Sequence, residues 1–277
     1  MSGTHITVTV LAENTAGQRG VLGEHGLSLW IETPAARVLF DTGQGLVLAR
    51  NAAALGAALD CADAIVLSHG HNDHTGGLLQ AMEAAPGARL FLHPAARRPR
   101  FSLRGGQARE IGMPAAARAA LAGRGAAPHW TLGPTEIAPG VFVSGPIPRR
   151  TGYEDTGGPF FLDAEGAAPD RLEDDQALWV ETPGGAVVLA GCAHSGIVNT
   201  LDFIRGHAGR PILALAGGLH LGAASDERLA QTIEALSRFD PTAIWPCHCT
   251  GLPATARLLA AFGPRCHAAG AGTRIKF

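Results

Sequence analysis

Short apolar, β-branched runs alternate along this chain with longer stretches rich in Ala and Leu. The period-2 and continuous apolar runs predict strands at 5–11, 27–33, 36–40, 63–68, 88–93, 177–182, 186–191, 211–216 and 242–246. The Ala/Leu stretches predict helices at 46–56, 76–85, 113–122, 196–208, 225–238 and 253–262. Ser225, followed by Asp226 and Glu227, offers the fifth of these helices an N-terminal cap with an acidic first turn. ETPAARVLF and ETPGGAVVL each place a Pro-containing turn between two strands, the pattern of a hairpin. Residues 145–175, rich in Gly, Pro and Asp, read as a long functional loop. Repeats and low-complexity tracts are not seen, so residues 1–277 are expected to form one mixed α/β domain with helices outside the sheet.

Composition narrows the function classes. With 46% hydrophobic residues among 277, the chain has enough apolar material for a substantial core without crosslinks. A formal net charge of -2 gives no long-range attraction to nucleic acid or anionic membrane, and neither is expected as a partner; oligomeric state is not legible. The opening MSGTHITVTV lacks a basic segment followed by an apolar stretch, and no apolar run is long enough to span a bilayer. Five cysteines, an odd number without a paired framework, fit reduced thiols. The expectation is a cytoplasmic protein.

The ionisable residues fall in a telling place. VLF is followed by Asp41, AIVLS by His69 and His71, and LFL by His93. VVLAGCA is followed by His194, LALAGGL by His220, and AIWPC by His248. One histidine at a strand end is usually a hydrogen-bonded structural residue. Six such coincidences point to the carboxyl rim of a sheet, where α/β folds gather their ligand sites.

The segment SHGHNDHTGG carries the sharpest chemistry. His69 and His71, two apart on an extended segment, project the same way, and Asp73 and His74 follow at the turn into a helix. Three imidazoles and a carboxylate within six residues suit one or two divalent ions, Zn foremost with Mn or Fe as alternatives, and the lack of a thiolate quartet argues against a purely structural site. Asp-Thr-Gly occurs at both Asp41 and Asp155, a pairing reminiscent of aspartic proteases. The second copy lies in a polar loop, and that reading leaves the histidines unexplained.

The pattern His69-x-His71-x-Asp73-His74 after a strand resembles the signature of the metallo-β-lactamase superfamily. EHGLSLWIE, LFDTGQG, SGPIPRRTGYE, GCAHSGIVNT, GGLHL and PCHCTG together are similar to one branch, which includes the dihydropterin ribofuranosylaminobenzene phosphate synthase and many metallo-hydrolases. The resemblance implies a four-layer αββα sandwich. It implies His69, His71 and His194 as ligands of one metal, and Asp73, His74 and His248 as ligands of a second. Asp41 matches an acidic residue that supports the metal loop. Many hydrolases of this family carry a bridging Asp after a later strand; here Cys192 stands in its place, so one metal and two remain alternatives. His220 is expected to act as a base or to face the substrate, and Cys247 and Cys249 are read as structural.

Substrate recognition is expected from Arg97, Arg149, Arg150, His93 and His25. Neighbouring Arg98, Arg100 and Arg104 are read with Arg97 as one group overhanging the rim, because guanidinium suits bidentate contact with phosphate or carboxylate. The resulting expectation is a metal-dependent hydrolase of a small anionic, phosphate-bearing ester or phosphodiester, with a synthase-like transferase as the alternative.

Overall fold

The computed structural model describes residues 5–123 and 127–277. The chain divides into two compact units. The first comprises the residues up to Thr131 with Pro159–Asp174 and Gly270–Phe277; the second comprises Leu132–Gly158 and Asp175–Ala269.

In the first unit a seven-stranded sheet runs in the order Arg274–Lys276, Thr7–Ala12, Ser28–Glu32, Arg37–Phe40, Ala64–Val66, Arg89–Leu92 and His129–Trp130. The first four pair antiparallel, and from Arg37–Phe40 onward the pairing is parallel. Helices Leu48–Leu55, Leu78–Ala84 and Ala115–Gly123 cover it, burying Leu48, Leu78 and Leu121 with Trp30, Leu39, Ile65 and Leu90 in one core. A smaller sheet joins Phe160–Phe161, Phe101–Arg104 and Gln107–Glu110.

The second unit repeats the plan. Its sheet runs Ala243–Cys247, Ile212–Gly218, Gly185–Ala190, Ala177–Thr182, Val141–Val143 and Thr135–Ala138, with the first three parallel. Helices Ile197–Ala208, Asp226–Phe239 and Leu252–Phe262 pack Leu201, Leu236 and Leu258 against Trp179, Val188, Leu215 and Ile244. Ser225 Oγ accepts the Arg228 amide at 3.1 Å, the cap expected from its sequence.

Every strand and helix expected from the apolar pattern is present, with ends moved by no more than two residues. Several short strands escaped that pattern. Phe101–Arg104 and Gln107–Glu110 form a hairpin whose residues are half-buried to exposed, so no alternation of apolar positions marks them. The loop 145–175 contains only one short strand, Phe160–Phe161, among its described elements. Among the described residues no helix is long and apolar enough to cross a membrane.

Parallel pairing fixes where the chemistry sits. Strands Arg37–Phe40, Ala64–Val66 and Arg89–Leu92 run the same way, so Asp41, His69 and His93 emerge at one edge of the first sheet. Strands Gly185–Ala190, Ile212–Gly218 and Ala243–Cys247 do the same for His194, His220 and His248 in the second. Each unit therefore presents three of the six predicted strand-end groups together.

Candidate functional site

In the first unit His69, His71 and His74 pack into one buried cluster. Asp41 sits beneath them with φ at 60°, a left-handed conformation that Asp tolerates better than most side chains. Its Oδ1 accepts the Ser68 amide at 2.7 Å, and its Oδ2 accepts both the Ser68 hydroxyl at 2.6 Å and His74 Nδ1 at 2.7 Å. Because the carboxylate accepts a hydrogen bond from Nδ1–H, the lone pair of His74 is on Nε2. Ser68 Oγ, having given its proton to Asp41, accepts from His69 Nδ1 at 2.9 Å, which leaves the lone pair of His69 on Nε2. That nitrogen lies 3.0 Å from His71 Nδ1, and ligand atoms of His69 and His74 also approach within 4.8 Å.

His71 is held uncharged. Burial first, then the Arg100 charge, push it down to about 3, against the opposing pull of Asp73 and Asp174. A neutral imidazole is the form that ligates a metal. The rings of His71 and Phe160 stand 5.0 Å apart, so an apolar wall backs the cluster. Asp73 is more exposed and pairs with His25 Nε2 at 3.3 Å, which places those two predicted residues together at the surface side.

The Gly70 amide donates to Asp174 Oδ2 at 2.8 Å, and the same carboxylate takes Arg100 Nη1 at 2.8 Å and Nη2 at 2.5 Å. Arg100 Nε donates to Asp170 at 2.7 Å. Burial alone would lower the guanidinium and raise the Asp174 carboxyl; their mutual charges hold Arg100 up and Asp174 below the usual carboxylate range. A Cβ at Gly70 would fall 2.2 Å from the Ala96 carbonyl oxygen, so only glycine lets the histidine loop lie this close to that backbone. Arg100 therefore does not overhang the rim with its neighbours, as its sequence context implied. It is fully buried and braces the metal loop.

The remaining predicted substrate residues of this unit are more open. Arg97 lies over the Trp130 ring at 4.8 Å, and the Arg98 guanidinium pairs with Glu173. Half-buried His93 accepts the Ala95 amide on Nδ1 at 3.2 Å, and burial lowers its pKa.

In the second unit His194 Nδ1 donates to the Thr156 carbonyl at 2.7 Å, so its lone pair too is on Nε2. Its ring lies 4.3 Å from that of His220, whose Nε2 donates to the Gly157 carbonyl at 3.2 Å. The predicted loop thus orients both histidines through backbone oxygens, a role that leaves no signature in residue type. Arg149 Nη1 donates to the His194 carbonyl at 2.5 Å, and the Arg150 amide donates to Asn199 Oδ1 at 2.8 Å. His248, buried at the end of its strand, adopts φ of 52°. Asp175 accepts the Ser195 amide at 2.7 Å, and burial pushes its carboxyl up to about 6.

Sequence reading missed two groups here. Glu154 accepts the amides of Val198 and Asn199 at 2.9 and 3.0 Å, fastening the start of the helix that follows His194. Cys249, read as structural, stands with Cys192 and His220, each offering a ligand atom within 4.8 Å of the others. Burial would raise the Cys249 thiol, but hydrogen bonds from Cys192 and His220 and the nearby imidazoles hold it well below the usual thiol range. For His220 burial works downward, and the bond to Cys249 outweighs it and raises the ring.

The donors fit a divalent metal ion: three imidazoles in one buried cluster, two with outer nitrogens tied to Ser68 and Asp41 and inner nitrogens carrying lone pairs. Replacing Asp41 by Asn is expected to weaken zinc binding roughly 10- to 100-fold, because His74 loses the partner that fixes its tautomer. Competition against a chromophoric chelator measures this, and an unchanged affinity would remove Asp41 from the support of the ligands.

A profile of the metallo-beta-lactamase superfamily matches residues 22–248, which takes in both units. The 7,8-dihydropterin-6-methyl-4-(beta-D-ribofuranosyl)-aminobenzene-5'-phosphate synthase of Methanocaldococcus jannaschii is 32% identical over 99% of this chain and 97% of its own. The crystal structure of a metal-dependent hydrolase of the beta-lactamase superfamily matches with a TM-score of 0.83 and 31% identity, over 98% of this chain and 99% of that one. Zinc-bound PqqB from Methylobacterium extorquens matches with a TM-score of 0.59 and 15% identity over 98% of this chain and 100% of that one, a likeness of fold alone. Together with the mixed α/β architecture and the buried histidine cluster, these likenesses show that the chain belongs to the metallo-beta-lactamase superfamily.

Proposed function

We propose that this protein is a metal-dependent hydrolase of a small, anionic, phosphate-bearing ester or phosphodiester, acting in the cytoplasm. The observation that carries the reading is the Asp41–Ser68 clamp, which sets the tautomers of His69 and His74 for ligation. In this reading His69, His71, Asp73 and His74 hold metal, and His194 and His248 are assigned to metal binding likewise. One or two divalent ions, zinc foremost, would supply Lewis acidity and an activated water.

The chain's own groups then perform distinct tasks. Asp41 and Ser68 hold the imidazoles in register. His25, paired with Asp73, steadies that carboxylate from the open side. His220 stands beside His194 as the candidate proton carrier. Arg97, Arg149, Arg150 and His93 are assigned to the anionic substrate, with guanidinium matching phosphate geometry.

The test is turnover of a panel of phosphate esters and phosphodiesters by the zinc-loaded protein. Metal-dependent hydrolysis is expected, falling at least about 100-fold in His71→Ala and Asp73→Ala, the upper end of what loss of a mere ligand support costs. A fully metallated protein inert across the panel would overturn the hydrolase reading. A second reading, a synthase-type transferase, is favoured by the 32% identity to the archaeal synthase over nearly the whole chain. It predicts no hydrolysis but binding of a pterin pyrophosphate.

A further inference from the structure

A cavity of about 570 Å³ in the first unit is lined by Pro94, Ala95, Arg97, Arg98, Pro99 and Arg118, none of them a member of the histidine cluster. That volume lies within the range of small-molecule sites and far exceeds what a water or a single ion needs. Arg97 and Arg98 come from the turn Pro94–Arg97 and the residue after it, and Arg118 comes from the helix Ala115–Gly123.

Charge at this cavity is out of balance. Its three guanidiniums meet two carboxylates: Glu173 pairs with Arg98, and Glu110 stands 3.7 Å from Arg118 Nη2. Both carboxylates are more than half exposed, so these pairs are weak and readily exchanged for a better anion. Among the described residues no carboxylate pairs with Arg97, whose guanidinium lies over the Trp130 ring at 4.8 Å. Arg118 Nη1 is a buried donor with no hydrogen-bond partner among the described residues, a costly arrangement unless an acceptor arrives. The wall that carries Arg97 and Arg98 is fixed in place. The Ala95 carbonyl accepts the Arg98 amide at 3.0 Å and Arg100 Nη2 at 3.4 Å, so little backbone freedom is lost when a ligand binds.

We propose that Arg97, Arg98 and Arg118 form a binding site for the phosphate group of a compact organic phosphate monoester. A phosphate dianion offers three oxygens and two charges to guanidiniums that reach it from two separate elements, which a carboxylate cannot match. The Pro94, Ala95 and Pro99 side chains supply an apolar wall for the organic part of the same ligand. The inference deepens the reading of a phosphate-bearing substrate, on whose ligand class it rests, and adds Arg98 and Arg118 to the single Arg97 assigned there. It needs no hydrolysis.

The test is calorimetric titration of the full chain with phenylphosphonate, whose carbon–phosphorus bond keeps binding separate from turnover, at about 0.15 M salt. Affinity is expected to fall about tenfold or more in Arg97→Gln and in Arg118→Gln, as charge-assisted hydrogen bonds are lost. It should stay within about twofold in Arg50→Gln, an exposed arginine on the helix Leu48–Leu55, and benzoate should bind about tenfold more weakly than phenylphosphonate. Unchanged affinity in either cavity variant, equal weakening in Arg50→Gln, or equal binding of benzoate would overturn the site. Binding abolished when phenanthroline strips the metal would overturn it too, because the anion would then sit on the metal. If a cavity variant fails to fold by circular dichroism, phenylglyoxal modification of the unaltered protein decides. Protection of Arg97 and Arg118 by phenylphosphonate supports the site, and equal modification with and without it overturns the site. Failure of the hydrolase reading looks different: an ester panel left intact by a protein that still binds phenylphosphonate through these arginines removes that reading and keeps the site.

Discussion

Arg100→Met is expected to destabilise the first unit by about 3–5 kcal/mol, the cost of leaving buried charges without their partner. Asp174 and Asp170, both buried, would lose the guanidinium that neutralises them. Methionine keeps most of the volume, so the loss reads out charge rather than a cavity. Urea denaturation of wild type and variant, followed on a probe in the first unit, measures the difference. A loss under 1 kcal/mol would mean that the two carboxylates find other partners or protonate. The same variant should bind zinc more weakly, because the Asp174 carboxylate that anchors the Gly70 amide is itself held by Arg100.

Acid should destabilise the metal-free protein through His71. Its folded value of about 3 lies below the unfolded value near 6.5, so between them the unfolded chain binds the extra proton. Stability contributed by neutral His71 is therefore fully present above pH 6.5 and is lost as pH falls toward 3. The full loss is about 5 kcal/mol, of which roughly 3 kcal/mol is gone at pH 4. Urea midpoints from pH 7 to pH 4, in the presence of chelator, test this against His71→Gln. The variant should show a shallower slope, and equal slopes would assign the acid sensitivity elsewhere. Bound metal steepens the same dependence, since protons and metal compete for one nitrogen.

Why some of the molecule was legible in the sequence and some was not follows from how each part is encoded. His69, His71, Asp73 and His74 fall within six residues, so their spacing alone announces a ligand cluster. The strand-end positions of Asp41, His194, His220 and His248 were visible because each follows an unbroken apolar run. Arg100 is illegible because its partners lie 70 and 74 residues away, and an arginine near others looks like surface charge. The carbonyls of Thr156 and Gly157, which orient His194 and His220, could not be found at all, since every residue carries one. Cys249 gives no local signal because its companions follow two other strands. The exposed hairpin Phe101–Glu110 was hidden for the opposite reason, having too little buried surface to impose a pattern.

The parallel strands that collect the ionisable side chains also decide where the protein can be engineered. In each unit the hairpin turn feeding the first of those strands, at Thr33–Ala36 and at Thr182–Gly185, lies at the edge opposite the strand ends that carry the histidines. Both turns are closed by a threonine hydroxyl and are at least partly solvent-facing. An epitope tag, a fluorophore-bearing peptide or a split-protein junction inserted there would extend into solvent without displacing a ligand. The scaffold thus separates a chemically committed edge from one open to graft.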